Sequence, residues 1–147
     1  MTIYFYSTHE QYGCFSNFSY HGFELDNLYW HTSEHYFQAQ KFIGTPHLEE
    51  IRLIKTPKDA ARMGRDRKRP LRPDWEQVKD DIMRKGVLRK FEIHTDIQEI
   101  LLSTGDKEIV ENSPIDYYWG CGADGSGKNM LGIILMEVRE ILREVTC

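Results

Sequence analysis

Residues 30–42 read WHTSEHYFQAQKF, and the order of residue types in this stretch decides how the chain is read. Thr32 and Ser33 carry the side chains of an N-cap. The residues after them favour a helix as far as Ile43, where Gly44 and Pro46 stop it. At about 100° per residue, Glu34, Gln38 and Lys41 fall within roughly 60° of one another on that helix. Trp30 and Phe37 stand on one flank of this polar stripe, His31 and Phe42 on the other, with Tyr36, Ala39 and Ile43 behind. A helix apolar on both sides of a polar stripe is a buried one. The stripe therefore predicts a carboxylate, an amide and an ammonium aligned inside the protein. Two readings are open: a buried ion pair that only holds the fold, or the chemical wall of a pocket.

On the N-terminal side, TIYFYS (2–7) alternates weakly and reads as a strand. YHGFELDNLYW (20–30) reads as a hairpin with Gly22 and Asn27 as turn residues. On the C-terminal side, a short helical piece covers about 47–54. Thr56 then caps a helix with Pro57 in its first turn and Gly64 as its stop. The longest amphipathic run starts at Asp74 and keeps Trp75, Val78, Ile82, Met83, Val87 and Phe91 at helical spacing. Thr95 with Gln98 forms a capping-box signature for a helix ending before Gly105. KEIVENS (107–113) reads as a short strand. The glycine-rich WGCGADGSGKN (119–129) leads into a final helix with Leu131, Ile134, Leu135, Val138, Ile141, Leu142 and Val145 on one side. No internal repeat, linker or low-complexity tract interrupts the chain. The expectation is a single helix-rich α+β domain over residues 1–147 with a small β-sheet, and not a βαβ array.

A chain of 147 residues suffices for one substantial core, and 40% hydrophobic with 29% charged residues belongs to an ordinary soluble protein. The opening MTIYFYSTHEQYG lacks the basic start and apolar run of a signal peptide, and no window has the length of a membrane span. Cys14, Cys121 and Cys147 are odd in number and far apart, with no metal-type pair among them. These features predict a reduced, cytoplasmic chain with free thiols. The net charge of −4 is uneven: residues 55–73 hold eight Lys/Arg against two Asp, a local +6, which leaves −10 elsewhere. Such a balance argues against general nucleic-acid binding, yet the basic segment suits a phosphate as well as a solvated helix end.

Three short motifs invite chemistry. HTSEH (31–35) matches H-x-x-E-H, in which His31 and His35 would bind zinc, Glu34 would be the base and a distant Glu such as Glu111 the third ligand. Against this, His31 precedes the first helical turn. GADGSGKN (122–129) departs from a P-loop at Asn129, where a hydroxyl should bind Mg²⁺, and IDYYWGC before it is not a buried strand. Glycines opening a helix still offer N–H groups to an anion, or they form a bare turn. In SPIDYYWG (113–120), Asp116, Trp119 and Gly120 suit a ligand site with a stacking aromatic. Equally, Asp116 would cap a turn while Trp119 fills the core.

Taken together, several spaced segments resemble the NADAR, or YbiA-like, family: CFSNF (14–18), TSEHYFQAQKF (32–42), LRPDW (71–75), LLSTGDKEIVENSPIDYYWGCG (101–122) and KNMLGIILMEVRE (128–140). The resemblance runs nearly end to end and implies an N-glycosidase fold and activity. Its implied substrates are ribosyl-amine intermediates of riboflavin biosynthesis, cleaved to ribose 5-phosphate and a pyrimidine, and ADP-ribosylated guanine. In both, C1 of a ribose is bonded to an exocyclic amino nitrogen. Cleavage builds an oxocarbenium-like charge at C1, which a nearby carboxylate stabilises while it directs water.

By match to the family segments, Glu34 is the first catalytic candidate and Asp116 the second carboxylate. If the two share a dry pocket, one pKa rises. Lys41 is either a cation pairing with Glu34 or a phosphate, or a neutral amine that takes over C1 as a Schiff base. Phe18, Trp30 and Trp119 are the aromatics expected around base and ribose. Ser16, Asn17, Gln38 and Asn129 are the expected hydrogen-bonding groups, Gly120 lies beside them, and Arg65 would hold the phosphate or diphosphate. No metal and no cofactor is implied, and nucleic acid enters only as an ADP-ribosylated substrate. The alternative is a non-catalytic ADP-ribose or nucleotide-binding module, with zinc hydrolysis by His31, Glu34 and His35 behind it.

Overall fold

A computed structural model describes residues 1–146, with six helices and four short strands among the described residues. The architecture is α+β, but the β component is divided into two separate ribbons. Strand β1 (Thr2–Phe5) pairs in parallel with β4 (Glu108–Glu111), setting Phe5 opposite Glu111. Strands β2 (Phe23–Leu25) and β3 (Leu28–Trp30) form the expected hairpin. Its turn is Asp26–Asn27, both with positive φ (56° and 66°), as a two-residue turn between twisted strands requires. Gly22 precedes β2 instead of turning the chain.

Helix α1 (Ser33–Gln40) starts where the sequence predicts, with Thr32 Oγ1 accepting from the His35 amide at 3.1 Å. It stops at Gln40 and gives way to turns before Ile43. Helices α2 (Pro46–Leu53) and α3 (Pro57–Gly64) are capped by Thr45 and Thr56, each with proline in its first turn. Helix α4 (Trp75–Ile93) is the long amphipathic run, followed by α5 (Thr95–Ser103) and α6 (Met130–Thr146). The Thr95–Gln98 capping box does not form: Thr95 is already helical, and Gln98 Nε2 donates to the Phe91 carbonyl, tying α5 to the end of α4. The buried stripe of α6 is Leu131, Ile134, Leu135, Val138 and Leu142, while Ile141 and Val145 are 45% and 76% exposed.

Every residue of α1 is buried because the helix is wedged between two apolar clusters. Phe37 joins Trp75, Met83 and the α6 stripe on one side. Tyr36, Ala39 and Phe42 join Phe23, Ile51 and Ala60 on the other. Each large side chain buried this way contributes about 1.5–3 kcal/mol. Two glycines permit the close fit. A Cβ at Gly64 of α3 would run into the Gln38 side chain, and one at Gly86 of α4 would come within 2.9 Å of the Tyr36 ring. No described helix is long and apolar enough to cross a membrane. Cys14 and Cys121 are free thiols, and Cys147 lies outside the described residues.

Candidate active site

Parallel pairing brings the C-terminal ends of β1 and β4 out at the same place, against the polar stripe of α1. Between them lies a cavity of about 330 Å³. From α1 it receives Glu34, Gln38 and Lys41, so the stripe is the wall of a pocket. Glu34 is only 8% exposed, and its Oε2 accepts from Gln38 Nε2 at 2.7 Å. Burial raises its pKa; the Gln38 hydrogen bond and the Lys41 and Arg65 charges oppose the rise, and Asp116 adds to it. The Gln38 Oε1 is buried and has no hydrogen-bond partner.

The start of α1 is fixed by the CFSNF segment. The Asn17 carbonyl accepts from the Glu34 amide at 3.1 Å, its Oδ1 accepts from Ser33 Oγ at 2.8 Å, and its Nδ2 donates to Met83 Sδ at 3.4 Å. Asn17 thus holds the wall with the very groups expected to meet substrate. At the other end of the stripe, Lys41 Nζ donates to the Gly64 carbonyl at 3.3 Å and lies 5.9 and 5.7 Å from the Phe37 and Trp75 ring centroids. Burial lowers its pKa and Glu34 opposes the shift, while Arg65 and Lys79 reinforce it.

Asp116 stands both at the turn and at the cavity. Its Oδ1 accepts from the Tyr118 and Trp119 amides at 3.0 and 2.8 Å, capping the turn, and the residue also borders the cavity. Trp119 packs edge-on against Phe37 at 5.2 Å and borders the cavity as well. Ser16, Phe18 and Arg65 complete the set of expected residues at this cavity. Ser16 Oγ accepts from the Phe18 amide, and the Ser16 carbonyl accepts from the fully buried Lys90 Nζ at 2.9 Å.

Three expected residues stand elsewhere. Trp30 is the last residue of β3, so the helical angle assigned to it does not apply. It is buried in the hairpin cluster with its indole Nε1 donating to the Leu25 carbonyl. Asn129 ties α6 to β4, its Oδ1 accepting from the Glu111 amide and its Nδ2 donating to the Ile109 carbonyl, both at 2.9 Å. It borders a different cavity. Gly120 lies behind Glu111, where a Cβ would come within 2.8 Å of Glu111 Oε2.

The amides of the glycine-rich loop that lead into α6 are already engaged. The N–H groups of Gly127, Lys128, Asn129, Met130 and Leu131 donate to the carbonyls of Cys121, Tyr117, Gly120, Tyr118 and Trp119. The zinc reading fails on geometry too. The Ile54 carbonyl takes the His35 Nε2 proton at 2.9 Å and the Thr32 hydroxyl lies 2.7 Å from Nδ1, so both ring nitrogens are occupied. Among the described residues no three His, Cys, Asp or Glu side chains are arranged around a metal position.

Glu111, considered from sequence only as a third zinc ligand, instead faces this cavity with Glu34 and Asp116. Burial, with Asp116 and Glu34 nearby, pushes its pKa up to about 8. Tyr6, Met83, Ser113 and Ile115 also border the site and are not among the residues expected there. Glu111 and Tyr6 meet only because β1 and β4, far apart in the sequence, pair in parallel.

The NADAR domain model matches residues 4–143. An N-glycosidase of Nostoc punctiforme is 55% identical over 148 residues, covering 99% of this chain and 95% of that protein. N-glycosidase YbiA of Escherichia coli K12 is 52% identical over 140 residues, covering 95% and 88%. The NMR structure of E. coli YbiA superimposes with a TM-score of 0.91 at 50% identity, covering 99% of this chain and 86% of that one. The chloroplastic riboflavin biosynthesis protein PYRR of Zea mays is 42% identical over 159 residues, which cover 97% of this chain and 26% of that protein. With this match along nearly its whole length, the chain belongs to the NADAR family and is a hydrolase of N-glycosyl bonds.

Proposed function

We propose that the chain hydrolyses the bond between C1 of a phosphorylated ribose and an exocyclic amino nitrogen. The observation that carries the reading is the meeting of Glu34, Glu111 and Asp116 with Lys41 and Arg65 around one small cavity. Carboxylates at C1 stabilise the developing oxocarbenium charge and direct a water to it. The cations suit the phosphate. Lys41 and Arg65 also border an adjoining cavity of about 560 Å³ that includes Arg67. Neither Arg65 nor Arg67 has an ion-pair partner among the described residues. Net reaction consumes one water: C1 gains a hydroxyl, and the nitrogen leaves as an amine.

Two substrate classes share this linkage, ribosyl-aminopyrimidine phosphates of riboflavin biosynthesis and ADP-ribosylated guanine. The name of the maize relative favours the first, and the cations Lys41, Arg65 and Arg67 around the adjoining cavity would suit the diphosphate of the second. Lys41, desolvated beside Phe37 and Trp75, pairs electrostatically with Glu34; its lowered pKa also suits attack on C1 of an opened sugar. Borohydride added during turnover separates these roles, since only an imine is trapped as a covalent adduct. To test the function, a ribosyl-aminopyrimidine phosphate and ADP-ribosyl-guanosine are each incubated with the protein. Release of ribose 5-phosphate or ADP-ribose is expected. Ligand-induced stabilisation without any released sugar would make the chain a binding module instead.

A further inference from the structure

Glu111 borders two adjoining cavities. One is the site already described; the other, about 400 Å³, runs past Tyr6, Thr8, His9 and Phe18. The cations are distributed differently, for Lys41 and Arg65 border the central and the basic cavities and neither borders the cleft past Tyr6. Phe18 and Tyr6 keep 36% and 49% of their surface exposed, which leaves aromatic faces open to a planar ring. The site is thus graded in charge: Lys41 and Arg65 stand at one end, and Glu111 is the carboxyl at the other, beside Tyr6 and Phe18.

We propose that Glu111 is the acid that protonates the departing nitrogen, and that the cleft past Tyr6 and Phe18 seats the departing heterocycle. This rests on the N-glycosidase reading above. The three carboxyls are held differently. Glu34 accepts from Gln38, and Asp116 accepts from two amides, bonds that favour their ionised forms. The Glu111 carboxyl has no hydrogen bond or ion pair among the described residues. Its backbone, by contrast, is fixed: its N–H donates to Asn129 Oδ1 at 2.9 Å and its carbonyl accepts from the Cys121 amide at 2.9 Å. The missing Cβ of Gly120 leaves room for the carboxyl itself. An acid on a rigid strand end, with its oxygens unengaged, is arranged to give a proton to a ligand.

The electrostatics agree with the geometry. Glu34 and Asp116 face Glu111 from α1 and from the loop after β4, with Tyr6 and His9 beyond β1 and Lys41 and Arg65 across the central cavity. Burial and the two carboxylates all raise Glu111, up to about 8. Burial raises Glu34 as well, but there the Gln38 hydrogen bond and the Lys41 and Arg65 charges oppose the rise, so of the two Glu111 is the carboxyl with nothing to favour its anion. In the step, the C1–N bond breaks with its electron pair staying on nitrogen, and that nitrogen takes the Glu111 proton. Water adds its oxygen to C1 and loses a proton to Glu34, from which the acid is restored through solvent.

The test is a series of ribosyl aniline 5-phosphates, from para-methoxy to para-nitro, offered to wild type and to Glu111→Gln. A missing acid matters most when the leaving nitrogen is most basic. The variant should lose on the order of 10²–10⁴-fold on the para-methoxy compound and only a few fold on the para-nitro one. In wild type, which needs no variant to fold, turnover of the para-methoxy compound should fall as pH rises through about 8, while that of the para-nitro compound stays level. Equal loss along the series, or a wild-type alkaline limb of the same size for both compounds, would overturn the assignment. Wild type that cleaves none of these ribosyl amines would overturn the N-glycosidase reading itself, and this proposal with it.

Discussion

Replacing Glu111 with glutamine keeps the shape of a buried side chain and removes its ability to ionise, and linkage sets the consequence for stability. The carboxyl titrates at about 8 in the folded protein, against 4.5 as its ordinary value. Between those values the unfolded chain has given up the proton and the folded protein has kept it. Folding then takes up a proton, so stability falls as pH rises. The contribution is complete below pH 4.5 and is lost as pH climbs through about 8. For this shift the loss is roughly 3 kcal/mol by pH 7 and about 5 kcal/mol by pH 9. Glutamine carries no such loss. Relative to wild type, Glu111→Gln should therefore gain roughly 3 kcal/mol between pH 4.5 and pH 7, or about 6–12 °C in melting temperature for a domain of this size. Glu34, raised in the same direction by burial, is present in both proteins, so the difference between them isolates Glu111. Thermal unfolding followed by circular dichroism across this range measures it. A melting difference that stays constant from pH 4.5 to pH 9 would refute the reasoning, because Glu111 would then titrate alike in the folded and unfolded chain.

Two further substitutions probe the polar stripe. Lys41→Met removes a charge that lowers the Glu34 pKa, so the acidic limb of the kcat/KM profile should move to higher pH; an unmoved limb would separate Lys41 from Glu34. Gly64→Ala places a methyl against the Gln38 side chain. It should cost about 1–3 kcal/mol in thermal unfolding and, by displacing the amide that holds Glu34, lower kcat/KM at least tenfold. A melting loss with unchanged kinetics would show that Gln38 does not orient Glu34.

The helices were legible because their signals are local. Thr32 and Thr56 each cap the helix that begins at the next residue, and the α6 stripe repeats at helical spacing. The polar stripe of α1 was readable for the same reason, since Glu34, Gln38 and Lys41 are close in sequence. A helical angle does not reach Trp30, which lies in a strand that only the Asp26–Asn27 turn and the β2 pairing define. Asn129 reads as a ligand group in the sequence, yet its amide is committed to β4 on both sides. Glu111 stayed hidden for a deeper reason. Its surroundings come from a strand at the other end of the chain, from α1 and from the Asp116 turn, and none of those approaches is written in KEIVENS.

If Glu34, on the buried stripe of α1, drives hydrolysis of a ribosyl C1–N bond, removing its carboxylate must end turnover. The most direct measurement is a mass-spectrometric assay, in the presence of chelator, of wild type and Glu34→Gln with a ribosyl-aminopyrimidine phosphate and with ADP-ribosyl-guanosine. Wild type should release ribose 5-phosphate or ADP-ribose while a folded Glu34→Gln releases neither at a measurable rate. If Glu34→Gln cleaves as fast as wild type, the stripe is a structural ion pair and the account of this site is wrong.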